Sequence, residues 1–155
     1  MADLAARMRF LVSEYDKKWC ALDLAGVADL WERDNPPPIY VAEEYATPLI
    51  GADELDRHWA RVASRLKGAS VSSQLWSADE FTGGLARCVL LSRWNYTGQE
   101  SEVRHTGASW ITWLLMLRND KYLIVHHAET QVYLEENVQQ GPGGDRATSP
   151  EVSQA

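Results

Sequence analysis

Residues 85–134, LARCVLLSRWNYTGQESEVRHTGASWITWLLMLRNDKYLIVHHAETQVYL, decide the fold. Three runs in this stretch have strand composition: Leu85–Tyr96, Val103–Leu117 and Tyr122–Leu134. Each is rich in β-branched and aromatic side chains, which suit a pleated, half-buried surface. Gly98-Gln99 and Asn119-Asp120 are turn signals between them. Gly107 lies inside the second run, where a bulge and a bend are expected. One step outward, Ser70–Ser77 is a fourth run, joined to the others through Gly83-Gly84. Further out the period changes. Leu4, Met8, Leu11, Tyr15, Trp19 and Leu22 recur at steps of four and three, the spacing of one helix face. Asp3 suits the positive end of that helix. Gly26 marks a break, and Val27, Leu30 and Trp31 form a short second helix. Asn35-Pro36-Pro37-Pro38 ends it, because proline cannot continue a helix. Ile39–Tyr45 reads as a short strand and Thr47–Gly51 as a loop. Asp53 and Glu54 open a third helix that buries Leu55, Trp59, Val62 and Leu66 and stops at Gly68. Helices followed by sequential strands imply an α+β protein, its helices on one face of a mainly antiparallel sheet.

The chain has 155 residues, enough for one domain with a sizeable core. Residues 139–155, QQGPGGDRATSPEVSQA, hold almost no large apolar side chains. Such a segment buries too little surface to offset its ordering entropy. The expected division is a folded domain over 1–137 and a disordered tail over 138–155. Net charge is −7, with 22 acidic against 15 basic residues, which argues against nucleic acid and anionic membranes as partners. The longest apolar run, Trp110–Leu117, is interrupted by Thr112 and falls short of a membrane span. Asp3, Arg7 and Arg9 interrupt the first residues, so no signal peptide is read there. Cys20 and Cys88 provide neither a disulfide framework nor a zinc spacing. The expectation is a cytoplasmic protein with no metal. The chain also carries seven Trp and six Tyr but only two Phe. Indole and phenol rings are apolar with a polar handle, and so suit a cavity wall that is partly wet.

The order of these elements resembles the SnoaL-like and ketosteroid-isomerase-like proteins of the nuclear transport factor two superfamily. The carrying stretches are YDKKWCALDLAGVADLW (Tyr15–Trp31), GADELDRHW (Gly51–Trp59), WNYTG (Trp94–Gly98) and RNDKYLIVHHAE (Arg118–Glu129). The similarity covers roughly residues 8–133. It implies a cone-shaped fold, with three N-terminal helices packed on a strongly curved sheet and a pocket between them. It also implies a homodimer through the outer sheet face. Tyr15 matches the tyrosine that donates to the developing oxyanion in ketosteroid isomerases. Glu43 matches their carboxylate base, with Glu44 as competitor because Pro36–Pro38 are inserted. Their second oxyanion donor, an aspartic acid on the long strand, has no counterpart: Ser109, Ile111 and Trp113 stand at the matching positions.

Strand parity narrows the pocket wall. One face of the last run carries Leu123, Val125, His127 and Glu129, the other Ile124, His126, Ala128 and Thr130. Periodicity leaves open which is inward. The resemblance places Val125, His127 and Glu129 inward, with Leu90 and Trp94, and with Ser109, Ile111, Trp113 and Leu115. A histidine and a carboxylate two apart on one strand face can touch, and such a pair is a usable proton acceptor or donor. The plainer reading is an imidazole hydrogen-bonded inside a core. Glu43 is the alternative base, and Tyr15 the oxyanion donor. Trp94 and Trp113 would stack on substrate, joined by Trp59, Tyr45, Ser109, Leu90 and Val125. Trp19, Trp31 and Trp59 serve mainly helix-side packing. His58 lies beside the third helix's apolar stripe and could hang over the pocket mouth, an exposed histidine being the plainer reading; His105 reads as a rim residue and His126 as outward-facing. A metal on His105, His127 and Glu129 is conceivable but not expected.

These readings lead to a cofactor-independent enzyme that transfers protons on a small apolar molecule, carbonyl-bearing or cyclic. Isomerase, cyclase, dehydratase and epoxide-hydrolase chemistry are all compatible. The alternative is a non-catalytic binding or dimeric interaction module of the same fold.

Overall fold

Asp3 caps the first helix, its carboxylate accepting from the Ala5 N–H at 3.4 Å. The computed structural model describes residues 3–100 and 102–132. The expected tail and the last residues of the Tyr122–Leu134 run lie outside the described residues. Helix α1 (Leu4–Cys20) buries Met8, Leu11, Val12, Tyr15 and Trp19, the face its spacing predicts. The break before α2 (Leu24–Ala28) falls earlier than expected, with Leu22 in the left-handed region at φ 54. Asp23 caps α2 by accepting from the Gly26 N–H at 2.9 Å, so Gly26 sits inside the helix. A Cβ there would collide with the Asp23 carboxylate, which is why this position is glycine. No helix among the described residues is long and apolar enough to cross a membrane.

Strand β1 (Ile39–Val41) is shorter than the expected Ile39–Tyr45. The chain turns at Glu43 and Glu44, with the Tyr45 N–H donating to the Ala42 carbonyl at 3.3 Å. A two-residue strand, β2 (Leu49–Ile50), follows within the expected loop. Helix α3 (Ala52–Arg65) then passes straight into β3 (Leu66–Phe81). Gly68 lies in that strand rather than stopping the helix. The helix end is capped from elsewhere: the Gln99 N–H donates to the Arg65 carbonyl at 2.7 Å, and Gln99 Nε2 to the Leu66 carbonyl at 3.0 Å. With its carbonyls satisfied, the chain needs no loop before extending.

Strands β4 (Leu85–Gly98), β5 (Arg104–Arg118) and β6 (Lys121–Gln131) complete a mixed six-stranded sheet in the order β2-β1-β6-β5-β4-β3. Among the described strand pairs β1–β6 is the parallel one, and an isolated parallel bridge joins Trp31 to Ile124. Helix α1 is tied to β3 through Asp16, whose carboxylate accepts from the Ser73 N–H and hydroxyl, both at 2.7 Å. The core lies between the inner sheet face and the helices, where Met8, Leu55, Cys88, Leu90, Trp113, Leu115 and Ile124 are fully buried.

Two irregularities matter for the cavity. The expected bulge at Gly107 is absent, because β4 and β5 pair without a break from Leu85↔Met116 to Thr97↔Arg104. Gly107 instead makes room for an indole: a Cβ there would overlap the Trp94 ring. Gly107→Ala should therefore displace Trp94 and destabilise the fold by about 1–3 kcal/mol, as overpacking does. Thermal unfolding checks this; an unchanged melting temperature would mean that the indole moves aside freely. A bulge lies instead in β6, besides the two register shifts of β3 at Leu66/Gly68 and Leu75/Ser77. Leu114 pairs with His126 and Leu115 with Ile124, which leaves Val125 as the extra residue. The inner row of β6 is therefore Tyr122, Ile124, His127, Glu129 and Gln131. Val125 does not stand in line with His127 and Glu129, contrary to expectation, because one inserted residue reverses strand parity.

Candidate functional site

A cavity of about 800 Å³ opens between the inner sheet face and the helices. Five large aromatic rings line it: Tyr15 and Trp19 from α1, Tyr40 from β1, Trp94 and Tyr96 from β4. Trp94 and Tyr96 stack with centroids 5.2 Å apart, and the Trp94 indole N–H donates to Ser109 Oγ at 3.3 Å. Ser109 and Glu129 line the sheet side. Glu43, Glu44, His58, Arg65, His105 and Gln131 also border the cavity.

Glu129 is held from behind by a chain of hydrogen bonds. Trp113 Nε1 lies 2.9 Å from His127 Nδ1. An indole N–H can only donate, so Nδ1 is the acceptor and the neutral imidazole carries its proton on Nε2. That nitrogen lies 3.3 Å from Glu129 Oε2 and donates to it. His127 is 1% exposed and is not part of the cavity wall, whereas the Glu129 side chain is 18% exposed and lines it. Their placement differs from the expectation, which sets His127 against the cavity with Glu129 tuning it. His127 has both nitrogens engaged and has no lone pair to offer a ligand; the carboxylate it supports is the group that faces the cavity.

The structure also places the other expected residues. Tyr15 lines the cavity. Burial pushes its phenol well above the ordinary value, and the neighbouring Tyr96 and Glu129 push it the same way. It is a neutral O–H donor at physiological pH. Tyr40 is in the same state, chiefly through burial and then through Glu129. Glu43 is exposed at the rim, in the turn after β1 rather than in a strand. Its carboxyl is raised by desolvation and by the charges of Glu129 and Glu44. Trp113, Trp59 and Leu90 are core residues outside the cavity wall, since the helices pack directly on that part of the sheet. Val125 is also outside it, displaced by the bulge. Tyr45 is half-buried behind the wall, bonded to His58.

Tyr40, Tyr96, Arg65 and Gln131 line the wall without having been expected there, and so do Trp19, Val62 and Leu66, which were expected in helix-side packing. His58 is 2% exposed rather than exposed at the mouth. Burial, and then the charge of Arg61, lower its pKa to about 4 from 6.5. The unfolded chain therefore binds a proton that the folded one refuses. This contribution to stability is complete above pH 6.5 and is lost as pH falls towards 4. Screening on the cavity side keeps the loss to about 2 kcal/mol. Denaturant unfolding at pH 7.5 and pH 4.5 should show this loss in the wild type and a smaller one in His58→Phe. Equal losses in both would contradict the assignment.

Comparison with known proteins bears on the fold. The sequence matches no protein-family model and no curated protein. Solved structures do match. A ketosteroid isomerase-like protein from Erwinia carotovora atroseptica superposes with a TM-score of 0.73 at 12% identity, over 86% of this chain and 100% of that one. A proposed dehydratase of the nuclear-transport-factor-two-like family from Streptomyces avermitilis gives 0.69 at 14% identity, over 84% and 98% of the two chains. A type 2 hexachlorocyclohexane dehydrochlorinase gives 0.68 at 11% identity, over 83% and 85%. At these identities the likeness concerns the backbone, and it agrees with the element order and sheet topology described above. The chain has the fold of the SnoaL-like and ketosteroid-isomerase-like proteins of the nuclear transport factor two superfamily.

Proposed function

We propose that this protein is a cofactor-independent acid/base enzyme acting on a small, largely apolar molecule with a carbonyl or comparable oxygen. The observation that carries the reading is Glu129: a carboxylate inside an aromatic cavity, supported by a buried His127 that Trp113 orients. In this mechanism the Glu129 carboxylate takes a proton from the carbon next to the substrate carbonyl, leaving an enolate. Tyr15 and Tyr40, both neutral phenols, donate to the oxygen where charge develops. Glu129, now protonated, returns the proton to another atom of the substrate or to a leaving group. Isomerisation, cyclisation and elimination differ in what the enolate does: it takes the proton at another carbon, it attacks a second carbonyl of the substrate to form a C–C bond and an alkoxide that takes the proton, or it expels a β leaving group that takes the proton. The solved structures with this fold include proteins named for isomerase, dehydratase and dehydrochlorinase activities. That range agrees with proton-transfer chemistry without selecting one reaction. The test is Glu129→Gln, which should keep ligand binding and lose proton transfer.

The outer sheet face supports a homodimer. Trp76 and Trp110 form an edge-to-face pair with centroids 5.2 Å apart, and they are 64% and 36% exposed. Leu114 and Leu85 are exposed on the same face. Such a patch on a sheet favours association with another surface. Light scattering coupled to size exclusion should give twice the chain mass for the wild type and the single-chain mass for Trp110→Glu. A monomeric wild type at micromolar concentration would contradict the dimer.

A further inference from the structure

We infer that His58 is a further donor, beside Tyr15 and Tyr40, to the ligand's oxygen, through an Nε2–H whose direction is set by Tyr45 and Arg61. This rests on the cavity being a ligand site, as proposed above, and names the recognition chemistry on its helix side. His58 projects from α3 into the cavity wall. Its Nδ1 lies 2.7 Å from the Tyr45 hydroxyl. That hydroxyl is in turn 3.2 Å from Arg61 Nη2. A guanidinium has donors and no acceptor, so the Tyr45 oxygen accepts from Arg61 and directs its own proton to Nδ1. The Arg61 guanidinium also lies over the Tyr45 ring, which fixes the phenol in place. His58 is neutral, since burial and Arg61 both oppose its protonation. A neutral imidazole that accepts at Nδ1 carries its hydrogen at Nε2.

Among the described residues that Nε2 has no hydrogen-bond partner, as is also true of the indole nitrogens of Trp19, Trp31 and Trp59, and His58 is 2% exposed. Its ring is enclosed by Trp59 at 4.4 Å, Tyr40 at 5.0 Å and Tyr45 at 5.4 Å between centroids, none of which offers Nε2 an acceptor. Buried donors are almost always paired, and an unpaired one in a cavity wall points to a missing acceptor. The rest of the wall restricts what that acceptor is. Glu43, Glu44 and Glu129 border the same cavity against one guanidinium, that of Arg65, so an anionic oxygen meets an excess of like charge. A neutral carbonyl or hydroxyl oxygen satisfies the donor without that repulsion. A ligand so anchored has its oxygen on α3 and its remaining atoms towards Glu129, the orientation that proton abstraction next to a carbonyl needs.

The experiment compares 1-tetralone with tetralin, the same bicyclic skeleton without the oxygen. Binding is read by quenching of tryptophan fluorescence, and the His58 ring nitrogens by nitrogen-15 NMR of the full chain. The free protein should show the neutral tautomer protonated at Nε2, and the ketone, but not the hydrocarbon, should shift that signal. The wild type should bind the ketone about tenfold more tightly than the hydrocarbon, the effect of one well-made neutral hydrogen bond. His58→Phe should abolish that preference while still binding tetralin. Tyr45→Phe should reduce it, because it frees Nδ1 and lets the proton shift. A tautomer protonated at Nδ1, a ketone that leaves the His58 signals unmoved, or a preference that survives His58→Phe overturns the inference. Failure of both probes to bind overturns it together with the reading of the cavity. A ketone that binds through His58 but exchanges no protons defeats the proposed activity alone.

Discussion

Glu129→Gln should lower turnover by about 10²–10⁴-fold while leaving ligand affinity within a few-fold of wild type. The amide is nearly isosteric with the carboxylate and keeps an oxygen to accept from His127 Nε2–H, so the chain from Trp113 survives. What it loses is the basic lone pair facing the cavity. A group that acts only as the chemistry proceeds affects kcat and kcat/KM alike and leaves binding intact. His127→Gln should show a smaller loss, because it removes the support and not the base. Glu43→Gln should cost less again, since that carboxyl is exposed at the rim. Two results contradict this ordering. One is a His127→Gln enzyme as inactive as Glu129→Gln, with its fold and ligand affinity unchanged. The other is an unaffected Glu129→Gln enzyme.

The second large effect concerns stability. Trp113 is fully buried beneath the cavity, its ring 5.0 Å from that of Tyr15 and its N–H bonded to His127. Trp113→Ala removes a large core side chain and leaves an unpaired acceptor under Glu129. The cavity left behind costs about 3–5 kcal/mol. In a domain of this size that lowers the melting temperature by roughly 10–20 °C. Trp113→Phe separates the two contributions. It keeps most of the volume, loses the donor, and should cost about 1–3 kcal/mol. It also frees His127 to take either tautomer, so proton transfer should weaken in a protein that still folds. Calorimetry of both variants checks this. A Trp113→Ala protein within 1 kcal/mol of wild type would mean that the indole is not part of the core.

The fold was largely legible because its signals are repetitive. The α1 stripe from Leu4 to Trp19 and the three long strand runs each span many residues, and one irregularity does not hide them. The site depends on single residues, where such averaging fails. Alternation along β6 places Val125 with His127, but one inserted residue moves Ile124 into that row instead. Nothing in YLIVHHAE marks where the extra residue falls, because both faces are apolar near the hairpin. Glu43 was expected in a strand because Ile39–Tyr45 has strand composition; β1 has only three residues that pair with β6 before the chain turns. His58 is different, since a signal was present. Leu55, His58, Trp59 and Val62 follow helical spacing on one face, which places the histidine on the buried side. A polar residue on that stripe reads more readily as its exposed edge. His127 and Glu129 were both legible as a pair. Which of them meets the cavity depended on Trp113, fourteen residues earlier on the neighbouring strand.

The most direct test of the account is whether the wild-type cavity moves a proton on carbon. A panel of cyclic ketones that quench tryptophan fluorescence, 1-tetralone and 2-tetralone among them, is incubated with the protein in deuterium oxide. Mass spectrometry and proton NMR then follow the positions next to the carbonyl. The account predicts deuterium incorporation there, catalytic in protein and lost in Glu129→Gln. Ketones that bind in the cavity yet exchange only at the rate of buffer alone would contradict it, and would leave a binding protein in place of an enzyme.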